Sequence, residues 1–158
     1  MRHMRLTTLE DLQKAAGSEL GVSEWLLIDQ HRVNAFGHAI DDTQWIHCDP
    51  ERSLHESPFG GAIAHGALTL SLLSCLRERI EGVKIELPSK MGVFYGINKV
   101  RFVEPVRVGQ RIRLRLKIAS AEIVEPGVIQ ILYEHVVEIE GQRRIALFAE
   151  TINRQYLR

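Results

Sequence analysis

Ala64-His65-Gly66-Ala67-Leu68-Thr69-Leu70-Ser71-Leu72-Leu73-Ser74-Cys75-Leu76 is the centre of a stretch, Ser57 to Leu76, that contains no charged side chain. Such a stretch is either a membrane span or a helix enclosed by protein. A span needs about 20 consecutive apolar residues. This one is interrupted by Pro58, Gly60, Gly61, His65 and several hydroxyls, so the membrane reading is rejected. A helix that is apolar all round is surrounded by protein. The segment is therefore read as the central helix of the fold.

The flanking sequence says what surrounds it. In Arg111-Ile112-Arg113-Leu114-Arg115-Leu116-Lys117-Ile118 every charge falls on one face and every aliphatic on the other, the signature of a half-buried strand. Met91 to Val103, Val128 to Glu140 and Arg143 to Ile152 read as three more long strands, with turns at Glu125-Pro126-Gly127 and Glu140-Gly141. Short connections between strands favour antiparallel pairing. The expected architecture is α+β, a long antiparallel sheet wrapped around one central apolar helix.

Before that helix, Thr7 and Glu10 are spaced as a capping box, opening a helix over Leu9–Ala16 that Gly17 ends. Trp25 to Asp29 reads as a short strand. Val33, Phe36, Ala39 and Ile40 recur at helical spacing, and Asp49-Pro50 opens a further helix. No repeat, low-complexity segment or linker appears, so residues 1–158 are expected to be a single domain.

Composition narrows the function. The 158 residues carry 20 Lys+Arg against 20 Asp+Glu, a formal net charge of +0, which argues against nucleic acid as a partner. Hydrophobic content of 45% with 25% charged residues is that of a globular domain. The 2 cysteines, Cys48 and Cys75, are too few for a disulfide scaffold and suit a reducing compartment. The first twenty residues hold no long apolar run, so no signal peptide is expected, and the protein is expected in the cytoplasm.

Polar residues meet the apolar helix in two stretches, Asp41-Asp42-Thr43-Gln44-Trp45-Ile46-His47-Cys48-Asp49 and Ile63-Ala64-His65-Gly66-Ala67. Asp42 and His47 are five apart. That spacing separates them by about 140° on a helix and puts them on opposite faces of a strand. They converge only in a loop or turn, and Asp41-Asp42-Thr43 is turn-forming. A carboxylate and an imidazole on one water can transfer protons near neutral pH; the plain alternatives are a turn carboxylate and a packed histidine. Gly66 begins the apolar helix, where free N–H groups can stabilise an oxyanion such as a thioester enolate. It reads equally as a glycine that lets helix and sheet pack closely. His65 reads as a structural residue of the preceding loop. His47, Cys48, Asp49 and His55 match no zinc spacing, so no metal is expected.

Read together, the two stretches resemble the MaoC-like dehydratases, the (R)-specific enoyl-CoA hydratase family of the hot dog fold. That family's pattern runs Gly/Ser-Asp-x-Asn-Pro-Ile/Leu-His-x-Asp, followed by Ile-x-His-Gly at a helix start. Here it reads Asp41 to Asp49, then Ile63-Ala64-His65-Gly66. Gln44-Trp45-Ile46-His47, Leu20 to Trp25 and Phe59 to Gly66 look most like its nodulation protein N-like branch. The resemblance implies Asp42 and His47 as the catalytic pair, Gly66 as the backbone donor to the thioester oxygen, and Ser74 as a helix serine near the catalytic aspartate. Gln44 and Trp45 depart from the family's Asn and Pro, which bears on substrate range.

The implied activity is hydration of a trans-2-enoyl-CoA, or dehydration of a 3-hydroxyacyl-CoA, by a homodimer. The substrate is an acyl-CoA thioester, and no cofactor is needed because the thioester is the electron sink. Two alternatives are a hot dog acyl-CoA thioesterase, disfavoured because residues 57–76 contain no Asp or Glu, and a non-catalytic acyl-CoA-binding protein. The stripe Arg111, Arg113 and Arg115, or Lys99 and Arg101, reads as a solvated strand face or as contacts for CoA phosphates.

Overall fold

The computed structural model describes residues 4–158. Its elements are β1 (Met4–Leu6), α1 (Leu9–Ala15), β2 (Glu19–Val22), β3 (Leu26–Leu27), α2 (Gln30–Ala39), α3 (Trp45–Cys48), α4 (Pro50–Glu56), α5 (Gly66–Ser71), α6 (Leu73–Arg77), β4 (Val83–Ile85), β5 (Ser89–Phe102), β6 (Arg111–Glu125), β7 (Val128–Ile139) and β8 (Leu147–Leu157). The main sheet is antiparallel in the order β2-β6-β7-β8-β5, with β3 also on the β6 edge. β1 and β4 form a separate parallel pair, joined across nearly eighty residues of chain.

Alternation decides which way β6 faces. Ile112, Leu114, Leu116 and Ile118 are buried, and the cations between them point outward. Those cations meet glutamates of the neighbouring strands. Arg113 and Arg115 both reach Glu138, at 2.6 and 2.7 Å; Arg115 also reaches Glu19 at 2.8 Å, and Lys117 reaches Glu134 at 2.9 Å. Exposed pairs of this kind contribute little each, about 0–1 kcal/mol. They do occupy the arginines expected either to be solvated or to hold phosphates. Lys99 likewise lies 4.0 Å from Glu150.

The central helix differs from its expected form in two ways. It breaks at Leu72 into two short helices, α5 and α6. It is also not enclosed all round. Leu68, Thr69, Leu72, Leu73 and Leu76 pack on the sheet, whereas Ala67, Ser71 and Ser74 lie on an exposed opposite face. Alanine and serine carry no charge, so the run looks uniform although only half of it is greasy enough to need burial.

Three smaller expectations shift. The capping box of α1 is Thr8 with Asp11, one residue later than Thr7 with Glu10. The short Asp11 carboxylate collects three donors there, Thr7 N, Thr8 N and the Thr7 hydroxyl, at 2.9, 3.0 and 3.2 Å. β8 starts at Leu147 and runs to Leu157, past the expected Ile152, because it lies between β7 and β5 and pairs with both. The strand expected over Trp25 to Asp29 shrinks to Leu26–Leu27.

Candidate active site

The site begins with how α2 ends. Asp42 N–H donates to Gly37 O at 2.9 Å and Asp41 N–H to His38 O at 3.5 Å, a Schellman-type closure. It places Asp41 in the left-handed region at φ 56, a conformation a glycine would adopt without strain. Gly37 is required for a different reason. A Cβ there would lie 2.8 Å from Asp42 O, 3.1 Å from Cys48 Sγ and 3.2 Å from His65 Cε1. The loop after α2 folds back onto that bare backbone.

A single turn, α3, then delivers His47. Gln30 Nε2 donates to His47 O at 2.7 Å, and the Ser53 hydroxyl donates to Trp45 O at 2.9 Å, so the turn is tied to α2 and α4. Arg52 lies over the Trp45 ring, 4.4 Å from its centroid. His47 is buried, and its Nδ1 lies 2.7 Å from Ile63 O. A carbonyl only accepts, so Nδ1 carries the proton and Nε2 is left with a lone pair. Burial lowers the His47 pKa, the Ile63 contact opposes that, the neighbouring His65 adds to the lowering, and Asp42 works against it. The net result is a neutral imidazole near neutral pH.

His65 completes the cluster, although its sequence context marked it as structural. It is 3% exposed and stacks on His47 with ring centroids 3.8 Å apart and planes 25° apart. Its Nε2 lies 2.9 Å from the Asp42 backbone oxygen and 3.9 Å from Oδ2 of the same residue. The Asp42 side chain is 48% exposed, so the carboxylate forms the solvent-facing lip over two buried rings. One donor atom from each of Asp42, His47 and His65 lies within 4.8 Å of the others. A carboxylate with two imidazoles is a metal donor set by type. Yet stacked, near-parallel rings send their in-plane lone pairs side by side rather than to one point, which suits protons and water better than a metal ion.

Gly66 opens α5 beside this cluster. A Cβ on it would lie 3.0 Å from the Phe102 ring, a contact in line with the close-packing reading of this glycine. Its N–H, at the first helical position, has no intrahelical partner and stays available to a ligand. Ser74, expected near the aspartate, lies on α6 rather than on the helix that Gly66 opens. It sits eight residues further on, about 12 Å along the axis, on the exposed face, and among the described residues it makes no hydrogen bond with Asp42.

The remaining polar residues of this region take other roles. Asp49 caps α4, accepting from Arg52 N at 2.9 Å, and His55 is exposed on that helix. Burial, with Asp42 nearby, pushes the Cys48 thiol up, which makes it inert. A cavity of about 1120 Å³ opens at the other end of the helix, over Arg77, Ile80 and Tyr133, and none of Asp42, His47 or His65 lines it.

Comparison with known proteins identifies the family and the fold. Residues 11–140 match the family described as MaoC like domain. The chain is 42% identical over 149 residues to nodulation protein N of Rhizobium meliloti, covering 94% of this chain and 91% of that protein. It is 43% identical over 147 residues to 3-hydroxyacyl-thioester dehydratase Z of Mycobacterium tuberculosis, covering 93% and 95%. Among solved structures, the monoamine oxidase regulatory protein of Archaeoglobus fulgius superposes with a TM-score of 0.80 at 21% identity, over 100% of this chain and 99% of that one. At that identity the likeness speaks for the hot dog fold alone.

Proposed function

The chain belongs to the MaoC-like domain family, and from that premise we propose that it is an (R)-specific enoyl-CoA hydratase and 3-hydroxyacyl-CoA dehydratase in which Asp42 and His47 move the protons. The observation that carries the site assignment is the meeting of a buried imidazole, its Nε2 lone pair free, with a solvent-facing carboxylate next to a helix start.

Hydration adds water across the C2=C3 bond of a trans-2-enoyl thioester. The water oxygen bonds to C3, the π electrons move to the thioester oxygen, and the resulting enolate takes a proton at C2. His47 Nε2 takes the proton from water, Asp42 accepts its other hydrogen bond, and the pair returns a proton to C2, ending as it began. The Gly66 N–H donates to the enolate oxygen. Dehydration is the same path reversed, and the thioester itself is the electron sink.

The working unit in this reading is a homodimer in the cytoplasm. β5 is an edge strand of 14 residues, and Met91, Phe94, Tyr95 and Phe102 on it are each more than half exposed. Unpaired edges of that length and composition seek another strand, and a second β5 supplies one. No described helix is long and apolar enough to cross a membrane.

The test is to offer crotonyl-CoA and follow loss of the enoyl absorbance together with release of free thiol. Absorbance loss without thiol, abolished in Asp42→Asn and His47→Ala, is the expected result; thiol release would convert the reading to a thioesterase. Chiral analysis of the product checks the (R) outcome.

A further inference from the structure

His65 holds an unusual set of contacts for a residue that only fills a core. One face of its ring lies on His47 at 3.8 Å, and Phe36 packs against it, tilted, at 5.3 Å. Its Cε1 edge faces the bare backbone of Gly37. Its Nε2 is 2.9 Å from the Asp42 carbonyl, which can only accept, so the proton sits on Nε2. Nδ1 is then a lone pair, and it is buried without a partner. A proton there would be a buried donor without an acceptor.

The consequence for Asp42 is geometric. Its N–H is tied to Gly37 O and its C=O to His65, so its main chain is pinned on both sides, directly after the left-handed Asp41. We propose that His65 is a positioning residue of this site, fixing the Asp42 main chain through Nε2–H and the His47 ring through face-to-face contact so that carboxylate and imidazole meet on one water. The inference rests on reading Asp42 and His47 as the proton-transfer pair. Two cations stacked at 3.8 Å would repel each other, so a proton on either ring disfavours one on the other, and the presence of His65 holds the His47 pKa down. The ionisable groups acting on His47 are Asp42, from the turn after α2, and His65, from the start of α5. Gln30 of α2 and Ile63 present only a neutral amide and a carbonyl.

Two variants separate the contacts. His65→Phe keeps a ring on His47 and removes the donor; His65→Gln keeps a donor and removes the ring. With crotonyl-CoA, kcat of His65→Phe is expected to fall at least about tenfold, with KM within about threefold, because a displaced catalytic group costs rate more than binding. His65→Gln recovers part of that loss. In both, the acid limb of the rate profile moves to higher pH. NMR titration of the His47 ring in the unliganded protein shows the same upward move, and that readout needs no activity. Wild-type kcat with an unmoved His47 titration in either folded variant overturns the proposal. Rate and thermal stability falling together, with no change in the His47 titration, reduce His65 to a packing residue and overturn it equally. If Asp42→Asn and His47→Ala keep full activity, the proton-transfer reading itself fails, which the titration distinguishes from failure of the His65 role.

Discussion

Two buried imidazoles, one in the sheet and one in the loops, have been put to different uses. His135 lies on β7, 4% exposed, with Nε2 2.9 Å from the Thr151 hydroxyl of β8. Burial, aided by the positive charge of Arg77, pushes its pKa down to about 4. Beside it is Tyr133, whose pKa burial raises to about 12. Both stay neutral at any ordinary pH and serve the core. His47 is nearly as buried, at 8%, and its pKa is also lowered. Its neighbour, however, is the half-exposed carboxylate of Asp42. Burial alone makes an imidazole inert; burial next to a solvated acid makes one that can exchange protons with water. Rigid strands supply the first setting, and a turn between two short helices supplies the second.

The largest contrast should come from deleting each ring. His47→Ala is expected to lower hydration by about 100-fold or more, the scale of a lost general base, whereas His135→Leu leaves kcat within about threefold in the same crotonyl-CoA assay. Equal losses would erase the distinction.

Acid should reveal His135 where activity does not. The unfolded chain protonates this ring near 6.5 and the folded chain only near 4. The unfolded state therefore binds more protons between those values, so stability is complete above pH 6.5 and declines as pH falls toward 4. The loss approaches about 3 kcal/mol at the lower end, and urea denaturation at pH 7 and pH 4.5 measures it. His135→Leu flattens that dependence.

Gly66→Ala divides the two readings of that glycine. The added methyl meets the ring of Phe102, which is 54% exposed and free to shift, so the expected stability cost is about 1 kcal/mol or less. A kcat loss well above tenfold beside so small a change in Tm shows that a ligand must approach the bare Gly66 backbone closely, since alanine keeps the N–H and adds only a methyl. The smallest effect belongs to Ser74→Ala, an exposed substitution expected to stay within about twofold in activity and about 0.5 kcal/mol in stability.

Much of the frame is local enough to read directly. β6 and β7 declare themselves by period-two alternation, and α4 by Asp49 followed by Pro50. Asp42 and His47 stand out through a compact motif whose geometry needs only one turn. What stays hidden depends on distance along the chain. The bond from His65 to Asp42 spans 23 positions, and a lone histidine in an apolar stretch reads as core, so its one cue is adjacency to Gly66. The β1–β4 pairing links short segments that carry no pattern of their own. The exposed face of α5 and α6 is masked because small uncharged residues fit equally well inside or outside.

The long edge of β5 has a consequence for the newly made chain. In the homodimer proposed above a second copy covers that edge; before it pairs, fourteen residues of backbone lie open, bordered by Phe94, Tyr95 and Ile97. Such a strip is a template for cross-strand stacking as much as for orderly pairing. Yield during expression then becomes a race between meeting a proper mate and seeding an inclusion body, with growth temperature and synthesis rate setting the odds.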